Sequence, residues 1–318
     1  MLLYDKAYME IKNKYLVPLS SYSVPYRSIK YTNIKEILYN KFISVEKVDK
    51  QEYIFRFEQD DILKGLLGDI NLFYMRHIIQ RQDSKECITN SMSANWNIVT
   101  NYYKAFFACS LLLRLCFRGN LFIDSSNKSR LENLIANTIG EAISLDSNQF
   151  FEVINIDDEF VLKLSKSMNN THELVWKKMD LLLDEFILLS REKSDERAFL
   201  RMLKQINKGL GNTYPSKLRN RVNYQPLYGK KYIDNELFSL NNEEYWVSTV
   251  FKYDASVNDE NKEVSLMNAY YEYIYHFCEN LIAEYYEIKG NENGVIKHCN
   301  KKYDGAISLP QKQFVFEK

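Results

Sequence analysis

The sequence contains 318 residues, and its 42 basic and 42 acidic side chains give a formal net charge of zero. A chain of this length can bury a large hydrophobic core, while a neutral balance argues against a protein that coats nucleic acid without selectivity. The five cysteines are an odd number, and no two have the close spacing of a zinc knuckle or redox pair, which predicts a reduced, cytoplasmic protein. Glycine and proline are few, which favours a mainly α protein.

The first 58 residues predict a small α+β accessory region at the N terminus. A short helix, a link containing Pro18 and Pro25, a second helix and the strand-like sequence QEYIFRFEQ follow one another. The chain starts with MLLYDK, in which charged residues interrupt the apolar run too early for a signal peptide. We therefore expect no secretion, and we predict a main helical domain at residues 59–288 and a C-terminal tail at residues 289–318.

Two long helices open the predicted main domain. Residues 60–82 have helical spacing despite two glycines, and residues 95–119 form an apolar stretch that Gly119 can end by adopting a positive φ angle. The second helix is apolar on nearly every side, which predicts the central helix of a bundle. Its most apolar part, residues 105–117, contains Arg114 and is shorter than the ~20 residues that cross a bilayer, so no membrane segment is predicted.

The pattern of residues 120–168 is mixed, and within it the sequence QFFEVINI at 149–156 is strand-like. Helical spacing returns in three later segments, at residues 170–190, 195–210 and 262–288. The first of these three carries an apolar face formed by His172, Trp176, Met179, Leu183 and Phe186.

The charges are unevenly distributed along the chain. Residues 197–231 contain nine basic residues and no acidic one, whereas residues 232–263 contain eight acidic residues and two lysines. Four of the basic residues lie within about 60° of one another on the predicted helix. A phosphate backbone is one partner for this face; plain solvation, pairing with the acidic segment, or an acidic surface of another protein are the alternatives. The predicted nucleic-acid-binding residues are Arg197, Arg201, Lys204, Lys208, Lys217 and Arg221.

The sequence PSKLRNRVNYQP at residues 215–226 concentrates polar and cationic side chains between two prolines. Proline suits the first turn of a helix and forces the chain out at its end. A helix between the prolines spreads four polar side chains over about 140° of its circumference, so that all four can face one cleft. An arginine beside amides can bind a phosphate and stabilise the charge that grows on it during strand cleavage. The four side chains are those of Arg219, Asn220, Asn223 and Tyr224.

This segment resembles the signature of the HEPN family (higher eukaryotes and prokaryotes nucleotide-binding). In that signature an arginine, usually followed by a polar residue, precedes a histidine by about five positions on a helix. Arg219 and Asn220 match its first half, while Tyr224 stands at the position of the histidine. The sequences NYYKAFFACSLLLRLCFRG and HELVWKKMDLLLDEF are also similar to helices of the family, so the resemblance covers roughly residues 90–228.

The resemblance implies a fold and an activity. It implies a mainly α, HEPN-like helical bundle, often dimeric, and a metal-independent endoribonuclease of a bacterial antiviral defence or toxin–antitoxin system that cleaves RNA in the Arg/Asn/Tyr-lined cleft. The alternative is a catalytically inactive HEPN-like module that binds RNA, nucleotide or a partner protein in a defence complex. Expected partners are RNA, a second copy of the chain, or a neutralising or defence protein. No cofactor, metal or membrane is expected.

Because a phenol with a pKa near 10 stays protonated at neutral pH, the catalytic base either comes from another residue or is dispensable. His276 follows Glu272 by four residues, a spacing that can orient its ring for catalysis or equally form an ordinary surface pair. We add His276 to the catalytic candidates Arg219, Asn220, Asn223 and Tyr224. His172 is predicted to be a core residue because it lies on an apolar face. His77, with basic neighbours, is predicted to face water.

Overall fold

The computed structural model describes residues 6–21, 32–89, 94–156, 159–167, 170–211, 213–225, 250 and 260–289. Most of these residues are helical, and the remainder includes one five-stranded antiparallel sheet. The protein is therefore mainly helical, as predicted, but it is not all-α.

The N-terminal part alternates short helices with a hairpin. Helix α1 spans Lys6–Ile11, continues through a π-helical segment at Lys12–Leu16, and is followed directly by α2 at Val17–Ser21. Helix α3 spans Ile34–Asn40, and its N terminus is capped by the side chain of Asn33, which accepts a hydrogen bond from the backbone of Glu36. Strands β1 (Ser44–Asp49) and β2 (Glu52–Arg56) form the hairpin.

Seven helices and three strands follow in the described residues. Helices α4 and α5 span Gln59–Thr89 and Ala94–Leu115, strand β3 spans Arg118–Phe122, and helix α6 spans Ser125–Ile139. Strands β4 and β5 span Asn148–Ile156 and Glu159–Lys166. The later helices are α7 (Thr171–Leu189), α8 (Asp195–Leu210), α9 (Tyr214–Tyr224) and α10 (Glu260–Lys289).

The sheet joins the N-terminal hairpin to the middle of the chain. Its strand order is β1-β2-β5-β4-β3, and in the pair β2–β5 Phe55 stands opposite Leu162. The strand predictions at 51–59 and 149–156 are confirmed. The strands are not confined to the predicted accessory region, because β3, β4 and β5 come from residues 118–166 and share the sheet with β2.

Helix α5 is the central helix, as its apolar sequence predicts. It packs against α4, α7, α9 and α10, and Leu111, Leu112 and Cys109 on it are fully buried. The predicted end of this helix at Gly119 is wrong. The helix ends at Leu115, Phe117 takes the positive φ of 62°, and Gly119 lies in β3. A Cβ atom on Gly119 would come within 2.5 Å of the Phe151 ring, so the glycine permits close packing rather than a helix cap.

The remaining helix predictions are confirmed. On α7, Trp176, Met179, Leu183 and Phe186 are buried as the spacing predicts. Helix α9 carries Pro215 in its first turn, and α8 and α10 cover the predicted segments. Residues 290–318, which are all but the first residue of the predicted tail, and most of the acidic segment 232–263 lie outside the described residues. Among the helices of the described ranges, none is both apolar and long enough to cross a membrane.

Candidate functional site

Arg219 lies where α9 crosses the N-terminal half of α5. Its guanidinium carbon is 5.4 Å from the ring centroid of Tyr102 and 5.8 Å from that of Tyr103, so the cation lies beside two tyrosine rings. The side chain is partly buried, and its Nε has no hydrogen-bond partner in the described part of the chain. No carboxylate among the described residues forms an ion pair with Arg219. An arginine in this state retains its capacity to bind an anion.

His172 lies beside the same tyrosines. Its Nδ1 is 2.8 Å from the Tyr102 hydroxyl, and its ring centroid is 6.0 Å from the Tyr102 ring and 4.4 Å from the Phe106 ring. The residue is only partly buried, unlike the other members of its helix face. His172 was predicted to be a core residue, and the structure instead puts it at the edge of the core, next to the arginine that the sequence singled out.

The Tyr102 hydroxyl connects three helices through its hydrogen bonds. The indole Nε1 of Trp176 lies 3.3 Å away and can only donate, and Ser216 Oγ on α9 lies 3.3 Å away on another side. Two proton arrangements satisfy this geometry. Either Tyr102 donates to His172 Nδ1 and Ser216 donates to Tyr102, or His172 donates from Nδ1 and Tyr102 donates to Ser216. The second arrangement leaves the Nε2 lone pair of His172 available to accept a proton.

Burial and the neighbouring cation set the protonation of these groups. Burial lowers the pKa of His172 below its usual value, and the positive charge of Arg219 lowers it further. Burial raises the pKa of Tyr102, although its hydrogen bonds and Arg219 act in the opposite direction. Near neutral pH the imidazole is therefore uncharged and the phenol keeps its proton.

The other residues of the predicted cleft lie on the outer side of α9. Asn220 and Asn223 are exposed, and Tyr224 is 77% exposed at the end of the helix. Arg219 is the one member of this predicted group that contacts the Tyr102 and Tyr103 rings among the described residues. The four residues thus share a helix, but their side chains are not equally accessible.

His276 lies on α10 in a different environment. Its Nε2 is 3.6 Å from Glu272 Oε2, as the four-residue spacing predicts, and Glu272 also accepts a hydrogen bond from Lys104 at 2.6 Å. No contact between His276 and Arg219 occurs among the described residues. The prediction that His77 faces water is wrong: the residue is fully buried, and its Nε2 is 2.5 Å from Glu279 Oε1.

Of the six predicted nucleic-acid-binding residues, three lie close to carboxylates of the protein and three are exposed. Lys204 is paired with Asp180 and, at 2.9 Å, with Asp184, both on α7. Arg221 Nη1 is 3.7 Å from Glu263, which belongs to the acidic segment named as its competing partner. Arg197 Nη1 is 3.7 Å from Glu192. The remaining three, Arg201, Lys208 and Lys217, are exposed.

The cluster around Tyr102 has only a weak signal in the residue pattern. His172 stood on an apolar stripe, which is typical of a core residue, and Ser216 stood beside Pro215 in the first turn of a helix. Tyr102 and Tyr103 were two aromatic residues in an apolar helix. Their proximity depends on how α5, α7 and α9 cross, which the residue spacing within each helix does not determine.

Comparison of the chain with protein-family models, with curated proteins and with solved structures finds no match. Within the described ranges, no three histidine, cysteine, aspartate or glutamate side chains are grouped closely enough to hold a metal ion.

Proposed function

We propose that this protein is an RNA-binding endoribonuclease whose active site contains Arg219 and needs no metal cofactor. One observation carries the proposal: the cation of Arg219 and an uncharged imidazole, that of His172, lie on either side of one tyrosine. An anion-binding group beside a base is the minimum that RNA cleavage through the 2′-hydroxyl requires.

The proposed reaction uses the RNA's own 2′-oxygen as the nucleophile. His172 Nε2 takes the proton of the 2′-hydroxyl while the oxygen forms a bond to the adjacent phosphorus. Arg219 stabilises the extra negative charge on the phosphoryl oxygens. The bond from phosphorus to the 5′-oxygen then breaks, and that oxygen takes a proton from water or from the exposed hydroxyl of Tyr224. The products are a 2′,3′-cyclic phosphate and a 5′-hydroxyl end, so atoms and charge balance without a second reactant.

Tyr102 and Ser216 act as positioning residues in this scheme. When His172 donates from Nδ1 to the Tyr102 oxygen, and Tyr102 donates to Ser216, the imidazole holds its Nε2 lone pair towards the substrate. Trp176 donates to the same tyrosine oxygen and restricts its orientation. This hydrogen-bond chain replaces the carboxylate that commonly orients a catalytic histidine.

The HEPN-like identity of the bundle, and a role in antiviral defence or a toxin–antitoxin system, form part of the same proposal and rest on the sequence resemblance. The second candidate is a HEPN-like module that binds RNA, nucleotide or a partner protein without cutting RNA. The exposed Arg201, Lys208 and Lys217 favour it, because they can hold a phosphate backbone whether or not chemistry follows.

The test is cleavage of a labelled single-stranded RNA by purified protein in the presence of EDTA. Arg219→Ala should lower the rate about 100-fold or more, because it removes the group that stabilises the transition-state charge. Arg130→Ala is the matched control: this arginine is exposed on α6, where it donates to Asn40. The products should carry cyclic phosphate ends.

A comparison of two histidines assigns the base. His172→Asn should remove cleavage while circular dichroism and the thermal midpoint show a folded protein. Loss of cleavage in His276→Asn together with full cleavage in His172→Asn would move the base to His276. RNA that binds the wild-type protein but stays intact would favour the non-catalytic candidate.

A further inference from the structure

A row of aromatic side chains runs along α5 towards the site. Trp96, Tyr103 and Phe107 are separated by seven and four residues, which puts them within about 40° of one another on a helix. Along the axis the first two are about 10 Å apart and the last two about 6 Å apart. The three residues, called the aromatic row below, thus lie on one side of the helix.

The aromatic row differs from the rest of α5 in its exposure. Trp96 is 56% exposed, and Tyr103 and Phe107 are partly buried, whereas Tyr102 on the adjoining face is fully buried. An exposed tryptophan is unusual, because this side chain gains more from burial than almost any other. The row is therefore a surface where a flat, partly apolar ligand gains free energy by covering rings.

The cation of Arg219 lies at the middle of the aromatic row. Its guanidinium carbon is 5.8 Å from the Tyr103 ring, and no carboxylate of the described chain pairs with it. Lys217, two residues earlier on α9, is exposed. An exposed indole and a partly accessible phenol ring, together with cations that form no ion pair among the described residues, are complementary to a polymer that alternates flat bases with phosphates. In a duplex the base faces are covered by stacking, so only an unpaired strand presents both groups.

We propose that the aromatic row is the binding surface for single-stranded RNA, with bases stacked on Trp96 and Tyr103 and a phosphate at Arg219. This inference rests on the proposed function and names its substrate class. It accounts for an exposed tryptophan on the same helix face as Tyr103, which lies beside Arg219 and His172: stacking holds an unpaired strand so that its phosphate reaches the reacting groups.

The experiment measures binding separately from cutting. The probe is a fluorescently labelled 12-nucleotide 2′-O-methyl RNA, which lacks the nucleophilic hydroxyl, and it is compared with the same strand in a perfect duplex. Fluorescence anisotropy should show that the single strand binds more tightly than the duplex. Trp96→Ala should weaken single-strand binding between about 5-fold and about 100-fold, which is the usual range for loss of one stacked base.

Two further variants separate stacking from general loss of apolar surface. Trp96→Phe keeps a ring and should recover part of the affinity. Leu188→Ala is the matched control, since Leu188 on α7 is 75% exposed and is not part of the aromatic row. Wild-type affinity in Trp96→Ala, or equal affinity of the protein for the two RNA forms, would overturn the proposal.

The outcomes distinguish this inference from the proposed function. If Trp96-dependent binding of the single strand occurs but unmodified RNA is never cut, the binding surface stands and the catalytic proposal fails. If RNA is cut equally well by the wild-type protein and Trp96→Ala, the catalytic proposal stands and the row has another role. A protein partner that is lost in Trp96→Ala, with no oligonucleotide binding to the wild-type chain, would assign the row to a protein interface.

Discussion

Two regions of the molecule combine an arginine with a histidine, and they differ in the group between them. Between α4 and α10, Glu279 accepts from Arg81 at 3.0 Å and contacts His77 at 2.5 Å, so a carboxylate neutralises the cation. Between α5, α7 and α9, Tyr102 occupies that position beside Arg219 and His172 and carries no charge. The first region is internally compensated, whereas the second retains a net positive charge that an incoming phosphate can neutralise.

The same difference appears in how the charges respond to burial. Burial raises the pKa of the Glu279 carboxyl, but His77 and Arg81 outweigh that effect and hold the pKa below its usual range. At the other site burial and Arg219 act in the same direction and lower the pKa of His172. The cluster around Glu279 is therefore expected to stabilise the fold. The cluster around Tyr102 is expected to serve the protein's function.

The largest expected effect is on stability, in the compensated region. Glu279→Gln leaves the Arg81 cation in the protein interior without its carboxylate, and this should lower the free energy of unfolding by about 3–5 kcal/mol. Arg219→Gln should cost about 1 kcal/mol or less, because no buried carboxylate loses its partner. Urea denaturation with an unchanged m value measures both. Equal losses of unfolding free energy in the two variants would show that the two regions do not differ in charge compensation.

A second prediction concerns the charge that Arg219 exerts on His172. Because Arg219 lowers the pKa of His172, Arg219→Gln should raise that pKa towards the ordinary value of about 6.5. NMR titration of the imidazole C–H signals measures the change, with His172→Asn identifying the signal. In the wild-type protein, cleavage should increase with pH until His172 is deprotonated and then level off, because the base must be uncharged. If the pKa of His172 is unchanged in Arg219→Gln, the charge of Arg219 does not act on the imidazole.

The two regions also show what the sequence could predict. The periodicity of α5, α7 and α10 identified the helices and most of their buried faces, because amphipathic spacing records burial directly. It misassigned His77, whose arginine neighbours suggested solvent although Glu279, about 200 residues later, provides a buried partner. It placed His172 in the core, whereas the residue is half-buried at the edge of the core and hydrogen-bonded to Tyr102. Both differences have one cause: a histidine's environment is set by another helix, and the residue pattern of its own helix contains no information about it.

The hairpin shows the same limit at the level of the fold. The strand character of residues 51–59 was visible in their β-branched and aromatic residues, but the pairing of β2 with β5, more than 100 residues away, was not. Gly119 was predicted to cap a helix because glycine commonly does so. The actual requirement, close approach of the Phe151 ring, arises from the partner strand β4. Local propensity is readable from residues, whereas contacts between distant strands depend on the whole chain.

The smallest expected effect tests whether the basic face of α8 divides as the ion pairs suggest. Arg201 is exposed, while Lys204 donates to Asp180 and Asp184 and to the backbone of α7. Arg201→Gln should weaken RNA binding a few-fold and reduce the slope of log affinity against log salt by about 1, since one phosphate contact is lost. Lys204→Gln should leave that slope unchanged, because its charge is already neutralised within the protein. If Lys204→Gln reduces the slope as much as Arg201→Gln does, RNA phosphates compete successfully with the α7 carboxylates for Lys204.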